Sequence, residues 1–163
     1  MARFVANELS KRPGVLTELI DIAGMPLPID GAGDEIKDPS FSQKMENADG
    51  IVIVAPEYNH SLPGLLKHVL DTCLEEYIHK ASGIVGVASG PFGGTRVVQN
   101  LLPVCRELGL FTDLNFSKVG DVFDDDGKIK NEEAWSRRAA NFLDELIWMS
   151  TVLRYGRENV PQE

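Results

Sequence analysis

Hydrophobic positions along this chain follow two rhythms, one of helical spacing and one of short continuous aliphatic runs. In A-R-F-V-A-N-E-L-S-K-R the residues Phe4, Val5 and Leu9 share one helical face, and Pro13-Gly14 ends the run, which predicts an opening helix. Leu16 to Ile22 alternates imperfectly and predicts a strand, followed by a long connection carrying Pro26, Pro28, Gly31, Gly33 and Pro39. Ser40 is placed to cap a short helix that turns Phe41, Met45 and Ala48 inward. Gly50 to Ala55 is uniformly apolar, as strands buried on both faces are, and predicts a central parallel strand.

The same alternation continues downstream. Leu65 through Glu76 predicts a helix and Ile84 to Ser89 a second buried strand. Gly90 to Gly94 turns the chain into a helix over Thr95 to Leu108, bent or started late because Pro103 has no N–H to donate. Leu110 to Phe116 predicts a shorter strand. Asp124-Asp125-Asp126-Gly127 predicts a turn into an amphipathic helix over Glu132 to Met149, with Trp135, Phe142, Leu146 and Met149 toward the core. The polar end, Arg154 to Glu163, is expected to fray or to cover a partner subunit.

Buried aliphatic strands alternating with helices imply a three-layer, doubly wound α/β fold around one parallel sheet. At 163 residues the chain fits a single domain over 1–163. Composition narrows the partners. A net charge of -9, with no cluster of basic residues among aromatics, argues against nucleic acid, and no apolar run is long enough for a membrane span or signal segment. A soluble cytoplasmic protein is expected. Cys73 and Cys105 have no metal-ligand spacing and read as small buried hydrophobes.

Ligands in such sheets bind beyond the carboxyl ends of the strands, which singles out the loops Pro56 to Pro63 and Gly90 to Gly94. In the first, two prolines hold the backbone open while Tyr58 offers an aromatic face, Asn59 a donor and an acceptor, and Glu57 an acid. A turn whose Asn and Ser merely satisfy the backbone accounts for the same spacing. The second loop, S-G-P-F-G-G-T-R, enters a helix N-terminus and allows close approach, but has neither P-loop nor dinucleotide-fingerprint spacing.

Taken together, Pro56-Glu57-Tyr58-Asn59, Pro63-Gly64 with Leu66-Lys67 and Asp71, and Ser89-Gly90 through Gly93-Gly94 with Arg96 resemble the NADPH-dependent FMN reductases of flavodoxin-like fold. The resemblance implies FMN as cofactor and NADPH or NADH as co-substrate, with electrons passed to a small acceptor such as a quinone, an azo compound or free flavin. It implies that Pro56, Glu57, Tyr58, Asn59, Ser89, Gly90, Phe92, Gly93 and Gly94 contact the flavin ring, with no side chain assigned as catalytic acid or base. In two places the sequence departs from the family pattern. Asp71-Thr72-Cys73 stands where relatives often carry an Asp-Trp pair, and the family's opening strand and phosphate-binding loop have no counterpart before Met1-Ala2. The resemblance puts that first strand between those at Leu16 and Ile51, so a later start than the natural gene's, and weak FMN binding, are expected.

Other polar groups carry less. His60, His68 and His79 share no ligand spacing, and Asp124 to Asp126 lack the remaining positions of a calcium loop, so no metal site is expected. Leu65, Leu66, Val69 and Leu70 predict surplus apolar surface and a homodimer, or a tetramer. The alternative to an enzyme is a flavodoxin-like electron carrier or a flavin-free interaction module, to which the acidity is suited.

Overall fold

A computed structural model describes residues 1–31, 33–116, 124 and 128–161. The elements are α1 (Ala2–Ser10), α2 (Pro39–Asn47), β1 (Gly50–Pro56), α3 (Gly64–Leu70), β2 (Lys80–Val87), α4 (Thr95–Glu107), β3 (Leu110–Phe116) and α5 (Glu132–Asn159). The three strands form one parallel sheet in the order β1-β2-β3. Alternate strand residues supply two cores. Ile53, Ala55 and Ile84 pack with Phe41 and Met45 of α2, Leu66 and Val69 of α3, and Leu101 of α4. On the opposite face Val85, with Val52, Val54 and Val87, meets Val5 of α1 and Phe142 and Leu143 of α5. Period-two strand geometry therefore yields the expected three layers.

Several boundaries move from their expected places. Asp38, not Ser40, caps α2: its carboxylate accepts the Phe41 N–H at 2.7 Å, with Pro39 in the first turn. The third helix stops at Leu70, with a single 3₁₀ turn at Glu75–Tyr77 taking up the rest of the expected span. Helix α4 starts on time and carries Pro103 inside it. That residue lies on the exposed face, where water reaches the carbonyl its ring leaves unpaired. Helix α5 runs ten residues past Met149 because Arg154 and Arg157 pair with Asp49 at 3.0 and 2.8 Å, tying the polar end to the foot of the sheet. Of the Asp124–Gly127 turn, only Asp124 is among the described residues; it exchanges hydrogen bonds with Lys128, whose N–H donates to its carboxylate at 2.7 Å.

Two corrections bear on the sheet itself. Leu16 to Ile22 is not a strand: the chain there has no ladder partner, and Leu16 and Leu19 are exposed. A strand exists only by pairing, and among the described residues nothing lies alongside this segment to pair with it. For the same reason β1 is an edge strand rather than a central one. By contrast β2 starts at Lys80, earlier than expected, because two polar side chains are buried within it. The Lys80 ammonium donates to the carbonyls of Met45 and, at 2.6 Å, of Glu46, closing the C-terminal end of α2. Burial, with the nearby Arg157, lowers the Lys80 pKa below its ordinary value.

Leu66, Val69 and Leu70 pack into the chain's own core, leaving only Leu65 of that quartet exposed, so α3 supplies no broad apolar patch. Cys73 and Cys105 are both buried and form no disulfide, and burial pushes the Cys73 thiol up to about 11. Among the described residues no helix is long and apolar enough to cross a membrane, and no group of His, Cys, Asp or Glu is arranged to hold a metal.

Glu76 is the buried acid on which this face depends. The Ser42 hydroxyl donates to it at 2.6 Å, the Leu74 N–H at 3.1 Å, and Lys37 pairs with it at 2.9 Å. Burial acts to raise its pKa, but these donors outweigh that effect and bring it down to about 2. The folded pKa lies below the unfolded one, so its contribution is complete above the ordinary carboxylate range and is lost as pH falls toward about 2. Glu76→Gln is expected to cost about 1–3 kcal/mol at neutral pH. Melting curves from pH 7 to pH 2 should show a lower Tm for the variant and a shallower acid decline than in the parent.

Candidate functional site

The two candidate loops leave the carboxyl ends of adjacent strands and are held side by side. Pro56 ends β1, and the next N–H, that of Glu57, still donates to Val87 O at 2.8 Å, carrying the β1–β2 pairing one residue further. Beyond it the chain turns at once. Tyr58 and Ser61 exchange both backbone hydrogen bonds at 3.0 Å, and the residues between them, Asn59 and His60, have φ of 49° and 66°. Two central residues at positive φ make a type I′ geometry, which Asn tolerates and His does not favour. The turn is held by tertiary contact as well: the Asn100 side-chain amide donates to His60 O at 2.9 Å and to Arg96 O at 2.8 Å.

The second loop is anchored by a contact between glycines. An added Cβ on Gly94, at φ 79°, would lie 2.7 Å from Gly86 C and from Val87 N, and one on Gly86 would lie 2.5 Å from Gly94 O. Only with hydrogen at both positions can the start of α4 sit against β2. From Gly94 the loop arches back through Phe92, whose carbonyl accepts from the Thr95 hydroxyl at 2.6 Å and the Thr95 N–H at 3.1 Å. Nothing lies within 4 Å of where a Gly90 Cβ would stand, so the loop's outer edge is open.

Glu57 joins the loops electrostatically. Its side chain is 11% exposed, and its carboxylate accepts the Arg96 N–H at 3.1 Å while the Arg96 guanidinium approaches at 3.6 Å and His60 Nδ1 at 3.9 Å. An anion accepting a backbone N–H in the first turn of α4 also complements the helix dipole. The Arg96 guanidinium in turn lies over the Phe92 ring, 5.0 Å from its centroid. The first loop's acid, the second loop's ring and the first turn of α4 thus form one connected unit.

Of the residues expected at this site, Pro56 and Glu57 are half-buried and structural in their contacts, and Gly93 and Gly94 are buried in the loop's base. Tyr58, Asn59, Ser89, Gly90 and Phe92 are exposed, with Tyr58 and Phe92 each at 63%. Two residues had been given no part. Arg96 stands in the motif run but only the fold shows it tied to Glu57; Asn100 carried no signal beyond lying one helical turn after Arg96.

Comparison with known proteins agrees in family and in fold. The profile of the family described as NADPH-dependent FMN reductase matches residues 1–119. An NAD(P)H:quinone oxidoreductase of Solanum tuberosum is 31% identical over 148 residues, covering 80% of this chain and 73% of the relative. An FMN-dependent NADPH-azoreductase of Staphylococcus haemolyticus is 32% identical over 149 residues, 86% of this chain and 74% of the relative. Among solved structures the flavoenzyme NAD(P)H:(acceptor) oxidoreductase FerB from Paracoccus denitrificans superposes with a TM-score of 0.70 at 19% identity, over 91% of this chain and 87% of that one. Such a likeness carries the fold alone, and it is the flavodoxin-like fold.

The glycine contact makes a sharp comparison. Gly94→Ala is expected to lose about 1–3 kcal/mol, since backbone must move on both sides, whereas Gly90→Ala, with open space around it, should unfold at nearly the parental urea midpoint.

Proposed function

The chain belongs to the NADPH-dependent FMN reductase family, and on that premise we propose that its flavin ring rests on Pro56 to Asn59 and Ser89 to Gly94 and that its electrons go to a quinone or an azo compound. As a member of that family it is an NAD(P)H-dependent oxidoreductase using FMN. The observation that carries the site assignment is the pairing of two loops at the carboxyl ends of adjacent parallel strands, each presenting one exposed aromatic ring. The acceptor class rests on the names of the relatives from Solanum tuberosum and Staphylococcus haemolyticus.

The residues suit the ring of a flavin. Tyr58 and Phe92 offer apolar faces already out in solvent, so covering them releases water without disturbing the core. The Asn59 side chain offers a donor and an acceptor to the polar ring edge, held in place by the tight turn. Gly90 leaves the loop edge clear for close approach. Glu57 would meet the ring through its backbone, since its carboxylate is committed to Arg96 and holds the two loops at a fixed separation. Bound FMN supplies the chemistry itself, accepting a hydride from NAD(P)H and delivering two electrons onward.

Assembly as a homodimer or tetramer belongs to this reading too. What supports it is α5, where Trp148, Val152 and Tyr155 form an exposed stripe at helical spacing. Light scattering at micromolar concentration is expected to give a dimer mass or larger; a monomer mass removes this part.

The central test is anaerobic addition of NADPH to the protein with saturating FMN. Bleaching of the flavin absorbance by NADPH alone, followed by its return on adding a quinone, is expected. Bleaching that requires a second protein marks a carrier instead. Tyr58→Ala and Phe92→Ala should each raise the FMN Kd roughly 2- to 10-fold, as expected from ~0.5–1.5 kcal/mol of ring contact, with thermal stability unchanged.

A further inference from the structure

The first candidate loop is fastened to α4 at two points one helical turn apart. At the start of the loop the Glu57 carboxylate accepts the Arg96 N–H at 3.1 Å. On its far side the His60 carbonyl accepts from the Asn100 side-chain amide at 2.9 Å, and the same nitrogen donates to Arg96 O at 2.8 Å. Residues four apart on a helix are neighbours on one face, so Arg96 and Asn100 make one edge of α4 into a rail along the segment from Glu57 to His60. Between the two fastenings stand Tyr58 and Asn59, both exposed.

The helix alone does not account for Asn100. Asparagine is among the weaker formers of a helix interior, and this one is exposed on α4, outside the apolar core. Both of its acceptors are carbonyl oxygens, so the nitrogen end of the amide faces them, and each of its two hydrogens has a partner. What it holds is a turn under strain. Asn59 and His60 sit at φ of 49° and 66°, a region that histidine adopts only where the surroundings impose it. The Tyr58–Ser61 pair supplies two hydrogen bonds within the turn. Asn100 supplies a third from outside, on the carbonyl of the strained residue itself.

We propose that Asn100 is a positioning residue for the flavin site: by holding the His60 carbonyl against α4, it keeps the Tyr58–Ser61 turn in the one backbone state that presents the Tyr58 ring and the Asn59 amide together. This role rests on the flavin reading above for its ligand, and on the turn alone for its geometry. Without the latch His60 relaxes toward negative φ, and residues 58 and 59 leave their place beside the second loop. Relaxed states do not bind, so the apparent FMN Kd rises by the inverse of the fraction of molecules that keep the turn. The second loop has its own supports, the approach of Gly86 to Gly94 and the Thr95 hydroxyl on Phe92 O. Loss of Asn100 is therefore felt at Tyr58 rather than at Phe92.

The test uses the whole chain with Asn100→Ala and with Asn100→Asp, an isostere that keeps the shape and, ionised, has no hydrogen to donate. A positive φ brings a residue's own amide and α hydrogens close together, so without ligand the parent should give strong intraresidue NMR cross-peaks at Asn59 and His60. In both variants these peaks should drop to the level of ordinary extended residues, while Tm falls by no more than about 2–4 °C. FMN titration should then give a Kd raised about 3-fold or more, as for a turn kept by about a third of the molecules. In a Tyr58→Ala background the same substitutions should raise Kd less than in the parent, and in a Phe92→Ala background by as much, a coupling that a general loss of stability does not produce. Unchanged cross-peaks at His60 in both variants overturn the proposal, and so does an equal rise in Kd in all three backgrounds. FMN affinity unmoved by Tyr58→Ala and Phe92→Ala alike removes the flavin from these loops and the positioning role with it, a failure told apart from the others because the His60 cross-peak would still respond to Asn100.

Discussion

A parallel ladder cannot be closed by a tight hairpin, and this constraint governs everything else in the molecule. Each strand must be followed by a long return across a face of the sheet, so helices cover both faces and every strand leaves its carboxyl end on the same side. The loops after β1 and β2 become neighbours for that reason, although the 26 residues 64–89 separate them, an ordinary length for a crossover. Once adjacent they are fastened by contacts specific to this sequence: the glycine pair Gly86 and Gly94, and the Glu57 carboxylate reaching Arg96. Topology delivers the two loops to one place, and these few groups set their separation.

The same constraint explains what could be read from the sequence. Gly50 to Ala55 was legible as a strand because packing on both faces makes it continuously apolar. Lys80 and Ser82 were not, since what allows them into a buried strand is remote in sequence, in one case the carbonyls of Met45 and Glu46. The last ten residues of α5 look like a fraying tail until Asp49 is found beneath them. Leu16 to Ile22 failed in the opposite direction: its composition suits a strand, but strand formation belongs to a pair, and local pattern says nothing about the neighbour. At the site, the loops and their exposed rings were legible from position and from motif, whereas the roles of Asn100 and Arg96 exist only in the folded arrangement.

Polar groups in this fold are spent on position more than on charge. Glu76 gathers three donors to tie α2 to the turn after α3, Lys80 finishes α2, and Asp49 secures the end of α5. Each is a short link between elements that apolar packing alone would leave free to slide. Their combined effect is a scaffold whose carboxyl-end loops are rigid at the base and bare at the tip.

The pairing of Glu57 with Arg96 also bears on how molecules arrive. With that guanidinium offset by its carboxylate, the described residues at the mouth of the loops present no strong local cation to counter the field of a chain carrying a net charge of -9. Uncharged solutes reach it by plain diffusion, indifferent to ionic strength. Anionic ones, sulfonated dyes among them, approach against a repulsion that salt screens over about 8–10 Å. If acceptors react at the proposed site, the encounter rate would therefore sort them by charge before any contact with the aromatic rings could sort them by shape.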